Sequence, residues 1–317
     1  MKILSRREML QIAAGSAAFT ALPRAAAAQT AGPGSTLRFF PGFKSARVKT
    51  SGAEINLVHA GSGPPLLLMH GAPQTHVSMR LLAADLVKDY TVIAPDLRGY
   101  GESSKPPDGE NHANYSKRAM ALDQVEVMKS FGFDKFAVVG HDRGGRVGHR
   151  MALDHPDKVT RLCVLDIVPT YYLYTHVTIE FIQAYFHWFN YVRAAPAPEN
   201  DLIKQYEAQK ARATSEVQLE YLRTSSDPAN IHAMCEDYRA GASIDLKHDE
   251  ADLSKKIQCP LLALWGLKGP MGRIFDVLAI WKDKGVNVTG KGVAAGHNVQ
   301  EDAPAEVLAE LRPFLRG

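Results

Sequence analysis

The stretch Val139-Gly140-His141-Asp142-Arg143-Gly144-Gly145-Arg146 decides the reading of this chain. An apolar run over residues 135–139 precedes it, and a helix-like segment over 147–153 follows. Strand, tight turn and helix in that order make the setting of a nucleophile elbow, usually written G-x-S-x-G. Here the serine position holds Asp142. A carboxylate at that apex forms an ester with a saturated carbon by displacement, and water then hydrolyses the ester. A serine would attack carbonyls instead. This one residue turns the expected chemistry from ester cleavage towards carbon–halogen or epoxide bonds. Gly144, Gly145 and Gly148 suit the same turn, because glycines let the helix lie close to the strand.

Outward from the elbow, apolar runs alternate with helical spacing. Residues 55–58, 65–69, 91–94, 135–139 and 161–165 read as strands, and 76–86, 115–131 and 144–153 as helices. The alternation resumes late, with strands at 260–265 and 286–289 and helices at 274–281 and 304–315. It predicts an α/β fold with a mostly parallel central sheet flanked by helices. Between Pro169 and about Leu253 the alternation stops. Aromatics such as Tyr171, Phe181, Tyr185, Trp188 and Tyr191 recur there at helical spacing, with a break at Ala194-Ala195-Pro196-Ala197-Pro198. Residues 170–253 are therefore expected to form a helical cap, and 29–169 with 254–317 the core. A cap over the carboxyl ends of the strands would close the ligand site of such a sheet.

The first 28 residues read as an export signal outside this fold. Ser5-Arg6-Arg7-Glu8-Met9-Leu10 is a twin-arginine pattern. A short apolar run and Ala26-Ala27-Ala28 before Gln29 complete it. A periplasmic location is expected, with no membrane attachment once the signal is removed. Lys2, Arg6, Arg7 and Arg24 against Glu8 account for the whole formal charge of +3, so the chain from Gln29 onward is near neutral. That gives no basic surface for nucleic acid. Cys163, Cys235 and Cys259 have no metal-ligand spacing and read as small buried residues, with a disulfide between two of them left open.

A nucleophile needs a base, a group to orient the base, and an oxyanion hole. His297, in Gly296-His297-Asn298 between the last strand and last helix, comes last in chain order, as the base does on such a fold. Asp166 ends the strand after the elbow, 24 residues beyond Asp142. A carboxylate there is costly unless paired, which a role in orienting His297 explains. The loop after the strand at 260–265 holds no carboxylate. His70-Gly71-Ala72-Pro73 fits an oxyanion-hole loop, with the backbone N–H groups of Ala72 and Arg143 as donors. Asp96 and Arg98, in Asp96-Leu97-Arg98-Gly99-Tyr100-Gly101, read as a structural ion pair.

With these residues in place, the chain resembles the α/β-hydrolases, and within them it is similar to the fluoroacetate and haloacetate dehalogenases. The likeness runs from His70-Gly71 to the final helix and is strongest in 140–146 and in Gly148-His149-Arg150-Met151-Ala152-Leu153-Asp154-His155-Pro156. It implies Asp142, His297 and Asp166 as the triad. It further implies Arg143 and Arg146 as the pair holding a substrate carboxylate, and His187, Trp188 and Tyr238 as donors to the departing halide. Two guanidinium groups beside a carboxylate nucleophile make sense for an anionic substrate. Three departures bear on pocket volume: Ala72 and Asn298 stand where relatives often have aromatics, and residues 200–229 look shorter and more polar.

The resulting expectation is a hydrolase that converts a small 2-haloacid to the 2-hydroxy acid, with neither metal nor organic cofactor. Its partner is a small organic anion, and a homodimer is implied by the resemblance alone. Two rival readings remain open. One is epoxide or neutral haloalkane hydrolysis by the same triad, with Tyr238 and either Tyr185 or Tyr191 protonating the epoxide. The other is a periplasmic small-acid binding protein on a hydrolase scaffold.

Overall fold

The computed structural model describes residues 35–317; the expected export signal at 1–28 lies outside them. Among the described residues, eight strands form one sheet: β1 (Lys44–Lys49), β2 (Glu54–Ala60), β3 (Pro65–Met69), β4 (Thr91–Pro95), β5 (Phe136–His141), β6 (Val159–Leu165), β7 (Leu261–Gly266) and β8 (Val288–Val293). Their order is β1-β2-β4-β3-β5-β6-β7-β8. Only the β1–β2 and β2–β4 pairs are antiparallel. This is the expected mostly parallel sheet.

Burial on both faces explains its apolar strands. In β3, Leu66 and Leu68 join one apolar cluster with Leu82, Leu86 and Leu311, while Leu67 and Met69 join the opposite one with Val147 and Met151. The core helices include α1 (Arg80–Leu86), α2 (Lys117–Ser130) and α3 (Arg143–Asp154). Helix α2 starts where the Ser116 hydroxyl accepts from the Ala119 N–H, an ordinary N-cap.

Between β6 and β7 the chain is helical: α4 (Thr170–Thr175), α5 (Ile179–Ala184), α6 (His187–Asn190), α7 (Ala197–Lys210), α8 (Glu216–Ser225), α9 (Pro228–Gly241) and α10 (Ile244–Ala251). Their aromatics Phe181, Trp188, Tyr206 and Tyr238 share an apolar cluster with Leu67, Met69 and Val147 of the sheet layer. Buried polar contacts reinforce that packing. Tyr100 Oη donates to Asp237 Oδ2 at 2.6 Å, Lys117 pairs with Asp237, and Arg150 Nη2 meets Asp252 Oδ2 at 2.7 Å. After β7 come α11 (Met271–Ile274) and α12 (Val277–Lys282), and after β8 come α13 (Val299–Asp302) and α14 (Pro304–Arg316).

Several boundaries differ from the sequence expectation. Strand β1 was not expected, because its Lys-Ser-Ala-Arg-Val-Lys lies at the sheet edge and carries no apolar run. The helix expected at 274–281 starts only at Val277, where the Asp276 carboxylate caps it by accepting from the Ala279 N–H, and a separate short helix, Met271–Ile274, precedes it. The last strand runs Val288–Val293 rather than 286–289. Asp96 and Arg98 are both buried but do not pair with each other. Asp96 is bonded by His76 at 2.7 Å and Asn56 at 2.9 Å, whereas the Arg98 guanidinium forks onto Asp123, with Nη2 to Oδ1 at 2.7 Å. The three cysteines are free thiols, two buried and Cys259 half-buried.

Candidate active site

Asp142 sits at the end of β5 with φ +45° and ψ −113°, outside the regions a side-chain-bearing residue favours. Such a conformation costs about 1–3 kcal/mol and survives only where its surroundings enforce it. Backbone bonds do so: Asp142 N–H donates to Leu165 O at 3.2 Å, Gly144 N–H to His70 O at 2.9 Å, and Arg146 N–H to Asp142 O at 3.1 Å. A Cβ on Gly144 would lie 2.6 Å from the His70 carbonyl oxygen, so α3 can approach the oxyanion loop this closely only with glycine there.

The loop after β3 meets the nucleophile. Ala72 N–H donates to Asp142 Oδ1 at 3.0 Å, which leaves the other carboxylate oxygen for bond formation. Arg143 is the first residue of α3, so its N–H has no acceptor within the helix. These are the two expected oxyanion donors. His70 fixes the loop, accepting from Leu97 N–H at 3.0 Å through Nε2, with Nδ1 2.8 Å from Gly71 O.

Asp166 is fully buried in a left-handed conformation at φ +53°. Its Oδ2 lies 2.6 Å from His297 Nδ1, and its Oδ1 accepts from Gly266 N–H at 2.8 Å. Both carboxylate oxygens are thus engaged, and the imidazole is oriented with Nε2 away from Asp166. Burial opposes protonation of His297, but the Asp166 bond and the charge of Asp142 outweigh it and raise its pKa. For Asp142, burial opposes ionisation; His297, Arg143, His141 and Arg146 together hold its carboxyl well below the usual range.

Asp142, Asp166 and His297 face one cavity of about 320 Å³ together with Ala72, Arg146, His187, Trp188 and Tyr238. Arg146 is buried, its Nη1 donating to Val168 O at 2.9 Å and Thr170 Oγ1 at 3.1 Å. Burial and the neighbouring Arg143 lower its pKa to about 10, so it stays cationic at neutral pH. Arg143 is not on the cavity wall. Its guanidinium lies under the aromatic rings, 3.4 Å from the Tyr238 centroid and 4.6 Å from that of Trp188, with Nε 3.7 Å from Asp237 Oδ2. The expected arginine pair is therefore split, one side chain in the cavity and one behind it. Burial pushes the His187 pKa down to about 4, which makes it a neutral imidazole, and pushes the Tyr238 phenol up.

A family model described as alpha/beta hydrolase fold matches residues 64–304. The chain belongs to the α/β-hydrolase fold family. It is 44% identical over 288 residues to a fluoroacetate dehalogenase of Burkholderia sp, covering 87% of this chain and 95% of that one. It is also 34% identical over 283 residues to a soluble epoxide hydrolase of Corynebacterium sp. (strain C12), covering 84% and 94%. Among solved structures, one from Nostoc sp PCC 7120, provisionally described as an alpha/beta hydrolase, superposes with a TM-score of 0.83 at 48% identity over 86% of this chain and 98% of that one. The resemblance read from the elbow and its flanking motifs is thus matched along nearly the whole described chain.

This α/β hydrolase also lines its cavity with residues that sequence reasoning passed over: Leu173, Gln205, Tyr206, Gln209, Met234 and Met271. Gln205 and Gln209 are one helical turn apart on α7 and so share a face. That spacing was readable, but nothing in the sequence said which face of α7 meets the elbow. Tyr185 and Tyr191 line the cavity too, and the buried Tyr185 hydroxyl has no hydrogen-bond partner among the described residues.

Proposed function

We propose that this α/β hydrolase cleaves the carbon–halogen bond of small 2-haloacids and releases the 2-hydroxy acid. One observation carries the reading: a carboxylate at the elbow faces a cavity whose polar walls include a buried cation, Arg146, and three neutral donors, His187, Trp188 and Tyr238. An anionic electrophile needs the first, and a departing halide needs the second.

In the first step the free oxygen of Asp142 bonds to the substrate α-carbon, and the halide leaves with the bonding pair into the N–H and O–H donors. Arg146 holds the substrate carboxylate. Arg143, stacked beneath Tyr238 and Trp188, steadies those rings and lends positive charge from behind. In the second step water bonds to the Asp142 carboxyl carbon while His297, oriented by Asp166, takes its proton. Negative charge gathers on Oδ1, where Ala72 N–H already points and Arg143 N–H is the second donor. The ester C–O bond then breaks, and the alkoxide takes the proton from His297. Asp142 loses the remaining proton to solvent. Per turnover, one water is consumed and one halide ion and one proton are released.

The 44% identity to a fluoroacetate dehalogenase supports this reading. A second reading, epoxide hydrolysis, is favoured by Tyr185, whose unpartnered hydroxyl on the cavity wall suits an epoxide oxygen. The test is fluoride and chloride release from fluoroacetate and chloroacetate, beside turnover of a neutral epoxide. Halide release that vanishes in Asp142→Asn is expected. Equal or faster turnover of the epoxide transfers the site to the second reading.

A further inference from the structure

His141 takes no part in the steps above, yet it is wholly buried between the elbow and the base. Its Nε2 lies 2.9 Å from the backbone oxygen of His297, and its Nδ1 lies 3.3 Å from Nε2 of Gln300, a side chain also wholly buried. The rings of His141 and His297 are 4.7 Å apart. A carbonyl oxygen only accepts, so His141 Nε2 carries the proton, and Nδ1 is left to accept from the Gln300 amide. The two contacts demand the same tautomer.

We propose that His141 is a positioning residue for ester hydrolysis, tying the backbone of His297 to the elbow and so fixing where the base stands over the Asp142 ester. The inference rests on the two-step reading above.

Chemistry explains why a histidine serves here. A buried polar ring is costly unless its nitrogens are bonded, and an apolar residue would fill the space at less cost. Burial also pushes the His141 pKa down to about 3. It therefore remains neutral while His297 takes the proton of water, and two positive rings never stand side by side. The loop from β8 to α13 carries His297 without regular secondary structure at that residue, so a side-chain strut supplies what strand or helix does not.

The two steps make distinct demands. Displacement of halide uses Asp142, Arg146 and the halide donors, none of which His141 touches through its ring nitrogens. Water attack on the ester uses His297. Loss of the strut should therefore delay the second step and spare the first, a split that general loosening of the fold does not produce.

The experiment compares wild type with His141→Phe, His141→Gln and Gln300→Leu in quenched-flow with chloroacetate. His141→Phe keeps the bulk without the N–H, while His141→Gln returns an amide N–H near the place of Nε2. The expected result for His141→Phe is a first-turnover chloride burst within about threefold of wild type and a steady-state rate lower by about tenfold or more. The carboxymethyl ester should accumulate on the Asp142 peptide, and His141→Gln should recover most of the rate. Gln300→Leu should shift in the same direction by less. A parallel NMR titration needs no substrate: the His297 pKa should fall in His141→Phe and return in His141→Gln. Equal loss of both steps, unchanged steady-state turnover, or no recovery in His141→Gln overturns the role of His141. Absence of chloride release from wild type sinks the dehalogenation reading instead, and the titration then decides the role of His141 alone.

Discussion

Asp142 must stay charged in a buried place, and its neighbours decide that it does. His297, Arg143 and Arg146 hold its carboxyl below the usual range against the effect of burial, so it is ionised throughout the neutral range. The base sets the pH dependence. His297 must be neutral to take a proton, and its pKa is raised above the ordinary 6.5. In the free enzyme, where Asp142 is charged, the His297 imidazole should therefore titrate above 6.5, which an NMR titration checks; titration below 6.5 contradicts its pairing with Asp166 and Asp142. Esterification removes the Asp142 charge, so the pH limb of kcat on chloroacetate should lie below that free-enzyme value. Arg146→Leu should act on binding, since a hydrogen bond to a charged group is worth about 1.5–3 kcal/mol. KM for chloroacetate should climb roughly ten- to hundredfold with a smaller change in kcat. That Asp142, His297 and Asp166 meet was legible because each interrupts a local pattern: a carboxylate at an elbow, a histidine between strand and helix, an acid at a strand end. The place of Arg143 was not legible, because helix spacing puts it beside Arg146 without saying that Tyr238 and Trp188 cover it.

At the scale of elements, the elbow works because α3 is allowed to press on the loop after β3. Gly144→Ala would put its Cβ 2.6 Å from the His70 carbonyl oxygen. Overpacking of this kind costs about 1–3 kcal/mol. Thermal unfolding should show the loss, and activity should fall further than stability because the Ala72 N–H moves with the loop. The same scale shows where sequence patterns run out. Strands β3 to β7, bar their exact ends, were readable from apolar runs buried on both faces. Strand β1 was not, because an edge strand of alternating polar residues buries too little to need an apolar run. The late start of α12, at Val277 rather than 274, turned on a single carboxylate, Asp276, whose capping role its sequence position did not announce.

For the whole molecule, the helices between β6 and β7 and the sheet layer meet through buried charge. Asp237 on α9 takes Lys117, the Tyr100 hydroxyl and Arg143 in one wholly buried cluster, and these partners hold its carboxyl below the usual range despite burial. Asp237→Asn would take the paired carboxylate from buried Arg143 and leave Lys117 only the more distant Asp245, 3.5 Å away. Breaking a buried pair from one side costs about 3–5 kcal/mol. Tm should drop clearly, and turnover should suffer too, because Asp237 sits next to Tyr238 and holds Arg143, whose guanidinium lies against the Tyr238 and Trp188 rings. Two adjacent layers thus share one set of charges, and that sharing was invisible in sequence, where Lys117 and Asp237 stand far apart. The chemical claim on which all of this converges is an ester between Asp142 and the substrate. It is tested most directly by a single turnover of chloroacetate with excess enzyme in heavy-oxygen water. The account predicts heavy oxygen in the carboxylate of the Asp142 peptide and ordinary oxygen in the first glycolate released. Heavy oxygen in that first glycolate, with none in Asp142, would mean that water attacks the substrate directly and would contradict the account.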